Sequence, residues 1–100
     1  MVEEVKKKDL TIKQGNNRLY IGESEEKFEA EITYYPLEEG TIVVNHTFVS
    51  ETIREKGLAA KLVDTMAQYA RDHHLKIIPE CPYAKKVLTT NAQYKDVLKQ

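Results

Sequence analysis

The chain of 100 residues has no tryptophan, one cysteine, two methionines, three prolines and four glycines. A single cysteine, Cys81, excludes an internal disulfide framework and fits a reducing compartment. No apolar run approaches the length of a membrane span, and Met1 to Lys8 is charged rather than signal-like, so a cytoplasmic protein is expected. The formal net charge is −1, so no global basic field recruits nucleic acid. There is no repeat and no low-complexity segment. What is present is 41% hydrophobic and 31% charged residues of mixed sign, the composition of one domain with a thin core.

Hydrophobic periodicity orders the chain. Met1 to Asp9 is charge-dense and is expected to fray. Leu10 to Lys13 alternates as a short strand, and Gln14 to Asn17 reads as a turn. Arg18 to Gly22 reads as a strand, and Glu23 to Glu26 as a second turn. Phe28, Ala30, Ile32 and Tyr34 then alternate with polar neighbours as one face of a half-buried strand that ends at Pro36. Glu38-Glu39-Gly40 turns the chain into Thr41–Val49, rich in β-branched residues. Three strands in this order predict an antiparallel meander.

The rest of the chain is organised around the next stretch. Ser50 to Lys56 is a loop, and Leu58, Leu62, Val63, Met66, Tyr69 and Ala70 recur at helical spacing, predicting a helix from Gly57 or Leu58 to about His73. Lys76 to Glu80 reads as a strand in parallel pairing with, or close to, the central strand. Pro79 limits it to one partner or ends it. Cys81-Pro82-Tyr83 opens a second helix, about Ala84 to Thr89, with Pro82 in its first turn. Asn91 to Gln100 carries Tyr94, Val97 and Leu98, enough for a short docked helix. The fold class is therefore α/β (α+β).

The join between Val49 and Leu58 suits an anion. A helix N-terminus exposes unpaired N–H groups and a partial positive charge, and a phosphate placed there is held mainly by main chain. Gly57 lets the backbone approach closely, Ala59 keeps the first turn slim, and Arg54 and Lys56 add charge. A solvated helix entrance with a turn glycine is the bland alternative.

Arg54-x-x-Gly57-x-Ala59, between a strand and an amphipathic helix, resembles the pyrophosphate loop (Gln/Arg-x-x-Gly-x-Gly/Ala) of the GCN5-related N-acetyltransferases, the GNAT family. His46-Thr47-x-Val49, Tyr69-Ala70-Arg71, Lys76-Ile77-Ile78-Pro79-x-Cys81-Pro82-Tyr83 and Asn91-x-x-Tyr94-x-x-Val97-Leu98 extend the likeness to its small members. The resemblance implies a GNAT-like fold that binds acetyl-CoA. The pantetheine arm would lie in a splay between Thr41–Val49 and Lys76–Glu80, with the pyrophosphate on the amides from Arg54 to Ala59. The implied cofactor contacts are Phe48, Val49, Arg54, Glu55, Lys56, Gly57, Leu58, Ala59, Pro82 and Tyr83. Two departures stand out: Glu55 occupies an anion-loop position often glycine in relatives, and Phe48 one that is often polar. The N-terminal helices and C-terminal strands that wall the acceptor site in longer members are absent.

His46 and Cys81 are the catalytic candidates. Strict alternation sets Ile42, Val44, His46 and Phe48 on one face and Val43, Asn45, Thr47 and Val49 on the other. His46 is either a structural strand residue or a base for the acceptor ammonium. Cys81 precedes a helix N-terminus, which favours thiolate, and the resemblance places it near the thioester. It either attacks acetyl-CoA or fills space as a small apolar residue. His73 and His74 end a helix, where cations are favoured, and no second ligand pair supports a metal. The expected activity is acetyl transfer to an unknown primary amine, the alternative being a CoA-binding or sensing module. Oligomeric state is left open, a monomer being admissible.

Overall fold

The computed structural model describes residues 10–53 and 57–99. Lys13–Gly15 (β1), Arg18–Gly22 (β2), Phe28–Glu38 (β3) and Thr41–Val49 (β4) form an antiparallel meander. The helix Leu58–Asp72 (α1) then crosses over to Lys76–Pro79 (β5), which pairs with β4 in parallel. The result is a five-stranded sheet in the order β1-β2-β3-β4-β5. Pro82–Thr90 (α2) and a 3-10 segment, Ala92–Val97, complete the chain. The mixed fold with a meander and a strand–helix–strand unit is as expected.

The helices bury one face of the sheet. Leu62, Val63, Met66, Ala67 and Ala70 of α1 join Ile32, Val44 and Ile77 of the sheet in one core cluster, closed by Ala84, Leu88, Tyr94 and Val97. Each large side chain fully removed from water contributes about 1.5–3 kcal/mol. The segment after α2 therefore docks as expected, its short helix being the 3-10 segment Ala92–Val97. Leu98 then forms a bridge beside Ile77.

Four strand expectations need correction. The first strand is Lys13–Gly15, not Leu10–Lys13, because Gly15 pairs with Arg18 and the turn falls on Asn16-Asn17, where Asn17 takes a φ of 59°. β3 does not end at Pro36. Beyond Thr33 it has no β2 partner, so a residue without an N–H sits on an open edge and the strand runs on to Glu38. Phe28 does not share the core face of Ala30: a register shift beside Ile21/Gly22 turns it to the opposite face, where its ring meets Phe48 edge-on at 6.2 Å.

The fourth correction concerns β4. Thr33 pairs with His46 but Tyr34 with Val44, so Asn45 is an extra residue, a β-bulge. A bulge reverses the alternation. Ile42 and Val44 therefore share the helix-covered face with Thr47 and Val49, while His46 and Phe48 join Val43 on the other.

One consequence of this packing is testable by pH. Tyr34 of β3 donates a hydrogen bond to the Tyr69 hydroxyl of α1 at 3.3 Å. Burial, reinforced by that bond and by the neighbouring phenol, pushes the Tyr34 hydroxyl up to about 12 from 10.0. The folded state thus holds this proton more tightly than the unfolded chain does. That stabilisation is fully present below pH about 10 and is lost as the pH rises through about 12. Absorbance titration of the phenols is expected to show one of the six tyrosines ionising last, coincident with falling stability to denaturant. Tyr34→Phe should flatten that alkaline slope.

Candidate functional site

The site lies where β4 and β5 part. Their parallel ladder runs from Thr41/Lys76 to Val44/Pro79 and stops. The Val44 carbonyl then accepts from both the Glu80 amide at 2.9 Å and the Cys81 amide at 3.0 Å, which swings the chain away from the sheet into α2. Pro79 has no N–H to continue the ladder. On β4 the Asn45 bulge falls at the same point. Beyond it β4 continues in its pairing with β3, and among the described residues its ladder with β5 does not resume, leaving a V-shaped splay on that side.

Cys81 sits across this splay from Thr47. Its sulfur is 3.3 Å from the Thr47 hydroxyl, and the residue is 6% exposed. Cys81 is the N-cap of α2, whose first turn holds Pro82 and no acid. Pro82 and Tyr83 are exposed beside it, Tyr83 at 39%.

The strand leads directly into the loop. The Ser50 amide bonds the Glu29 carbonyl at 2.7 Å, the Ile53 amide bonds the Ser50 carbonyl at 3.1 Å, and the Ile53 side chain is buried. Leu58 is buried on the far side of the loop, so its two ends are anchored. Arg54, Glu55 and Lys56 lie outside the described residues. Gly57 caps α1 with φ 68° and ψ 24°, a left-handed conformation that glycine adopts without steric cost. A Cβ on it would have nothing within 4 Å. No side chain caps the first turn, no acid lies in it, and Ala59 and Ala60 keep it narrow. The first amides of α1 are thus left without a side-chain cap among the described residues.

The bulge separates the candidates. Thr47 and Cys81 meet in the splay, whereas His46 and Phe48 stand on the uncovered face. His46 Nε2 is 3.7 Å from Glu31 Oε2, and Glu31 Oε1 is 3.1 Å from the Arg18 guanidinium. That guanidinium also lies over the Phe28 ring, 5.4 Å from its centroid. The side chains of Val49 and Leu58 are buried in the core cluster and hold the two ends of the loop. Thr47, Glu31 and Ile53 went unmarked as site residues in the sequence. Thr47 was within reach through its place two residues before the end of β4. Glu31 and Ile53 gave no signal without the register. Among the described residues no cluster of three metal-ligating side chains forms, and no helix is long and apolar enough to cross a membrane.

The sheet is mixed and opens between its two parallel strands, with a glycine-capped helix N-terminus one loop beyond the longer strand. The family model of the GCN5-related N-acetyltransferases matches residues 18–97, and the chain belongs to that family. It is similar to a GCN5-like protein of Staphylococcus aureus, assigned as an N-acetyltransferase and solved by NMR. The two are 40% identical, with 91% of this chain and 89% of that one covered and a TM-score of 0.77. A GNAT-family acetyltransferase of Desulfovibrio desulfuricans shares the fold at 17% identity and a TM-score of 0.51, over 62% of this chain and 40% of that one. Among curated sequences none matches significantly.

Proposed function

We propose that the chain acts as one acetyl-CoA-binding domain and transfers the acetyl group to a primary amine. The observation that carries this reading is the left-handed Gly57 cap of α1, with nothing within 4 Å of a Cβ placed on it among the described residues and no acid in the first turn of the helix. The residues fit the group: amides from Gly57 to Ala60 would hold the pyrophosphate, with Arg54 and Lys56 adding charge to the loop and Glu55 opposing it. The edge of β4 from Asn45 to Phe48 would take the pantetheine amides, and Pro82 and Tyr83 would line the mouth. Acetyl-CoA supplies an activated acyl group, so the chain's own work is positioning and proton removal.

In this reading the amine arrives from the uncovered face. His46 stands there with an exposed imidazole, its Nε2 3.7 Å from Glu31 Oε2, placed to take the ammonium proton. Amide N–H groups around the splay would polarise the thioester carbonyl. The second reading, a module that binds acyl-CoA without efficient transfer, is favoured by one observation: α1 and α2 pack on one face of the sheet, and among the described residues no helix walls the acceptor side.

Titration with acetyl-CoA tests the common part. The melting temperature is expected to rise, by a stabilisation of about 2.7 kcal/mol at one hundred times the dissociation constant. Amide shifts should concentrate between Phe48 and Leu62 and at Cys81–Tyr83. Absence of shifts there at millimolar ligand defeats both readings.

A further inference from the structure

A cavity of about 610 Å³ opens at the end of the sheet remote from the splay. Its walls are the Tyr34 and Tyr69 rings with Ile42 and Leu75, and its lip is the β3–β4 turn carrying Glu38 and Glu39. The volume falls in the range of about 300–1,000 Å³ common to small-molecule sites, which combine an apolar lining with a few convergent polar groups. The two rings lie 5.7 Å apart, tilted by 39°; Tyr34 is 8% exposed and Tyr69 packs on the His73 ring at 4.3 Å, so what the pair offers the cavity is its remaining ring surface. Tyr34 spends its proton on the Tyr69 oxygen, so the Tyr69 O–H keeps a donor of its own.

The charges on the lip decide the ligand's sign. Lys99 Nζ sits 3.2 Å from Glu38, which neutralises that carboxylate. Glu39 makes no ion pair among the described residues. An anion would meet an unpaired carboxylate, whereas a cation would find both a countercharge and aromatic faces, the pairing that recognises organic ammonium groups.

We propose that this cavity binds a small organic ammonium ion, its charge between Glu39 and the tyrosine rings and its apolar body against Ile42 and Leu75. The site is separate from the splay. Ile42 and Thr47 stand five residues apart on β4, about 17 Å at ~3.3 Å per residue, so one small amine cannot occupy this cavity and reach the acyl group at once. The inference is independent of acetyl-CoA binding.

The test is an NMR titration of the full chain with 2-phenylethylammonium, with neutral 2-phenylethanol as the isostere. The ammonium is expected to shift Asn17, Leu37 to Ile42, Tyr69 and Leu75 while Thr47 and Cys81 stay still. The alcohol should bind at least about tenfold more weakly, since it lacks the charge. Glu39→Gln, on an exposed turn where folding is not at stake, should weaken the ammonium at least about fivefold. Equal affinity for amine and alcohol, or unchanged binding by Glu39→Gln, overturns the proposal. Shifts confined to the splay overturn it too, and would mark the amine as an acceptor substrate. Acetyl-CoA added in the same tubes reports separately on the other site.

Discussion

Gly57→Val is expected to abolish detectable acetyl-CoA binding while the protein stays folded. Gly57 sits at φ 68°, where an L residue costs roughly 1–2 kcal/mol and a β-branched one more. In the free protein that conformational strain is the expected penalty, because among the described residues nothing lies within 4 Å of a Cβ placed on the glycine. Circular dichroism should therefore show native helix and sheet with a modestly lowered melting temperature. In the complex the same open space is where the proposed pyrophosphate lies, and the valine methyl groups would fill it. The strain also pulls the cap towards negative φ and rotates the first amides of α1 away from the ligand. Arg54→Ala provides the comparison, because losing one charge-assisted contact costs roughly 1.5–3 kcal/mol and leaves measurable binding. Gly57→Asn separates the two effects: asparagine tolerates the left-handed region, so its backbone should hold while its side chain still obstructs the anion. Calorimetry on the three variants gives the order. Normal binding by Gly57→Val would show that this backbone does not hold the ligand.

The architecture was legible because its signals are local and strong. Leu58, Leu62, Val63, Met66 and Ala70 mark α1 unambiguously, and all five are buried. Thr41–Val49 was read with its observed bounds. The fold of the small family members followed from the strand, glycine turn and helix together. What failed was phase. Strict alternation put His46 and Phe48 with Val44, and one extra residue at Asn45 reversed them. A bulge is a property of pairing between two strands, so no pattern within β4 alone reveals it. Phe28 was misplaced for the same reason, by the irregularity next to Gly22. Pro36 misled in another way: a proline breaks a central strand but not one whose neighbour has already ended. The anion loop was legible as a motif, but its anchor Ile53, an isolated apolar residue between polar ones, became visible only through burial.

The reversal of phase bears directly on the chemistry, and exchanging His46 and Cys81 separately should resolve it. A covalent route would have the Cys81 thiolate attack the acetyl carbonyl and expel the CoA thiolate, leaving an acetyl-cysteine that the amine then cleaves. Direct transfer is the route proposed instead. Cys81 is buried within the core cluster, its sulfur engaged by the Thr47 hydroxyl, while His46 holds the exposed face with a carboxylate at its side. Incubation with acetyl-CoA is therefore expected to leave the intact mass unchanged, with no hydroxylamine-labile acetyl group. Cys81→Ala should keep ligand binding and activity within a few-fold. Its melting temperature should fall slightly, from the small cavity left by the sulfur. His46→Ala, with any amine found to be acetylated, should lower kcat by about 10²–10⁴-fold, the usual span for a positioned base. Acetyl-CoA affinity should be unaltered, because His46 faces away from the splay. The loss should shrink at alkaline pH, where more of the amine is already deprotonated. A stable acetyl adduct on Cys81, lost together with activity in Cys81→Ala, would reverse the assignment and make Thr47, as the hydroxyl neighbour of the nucleophilic sulfur, the residue that orients it.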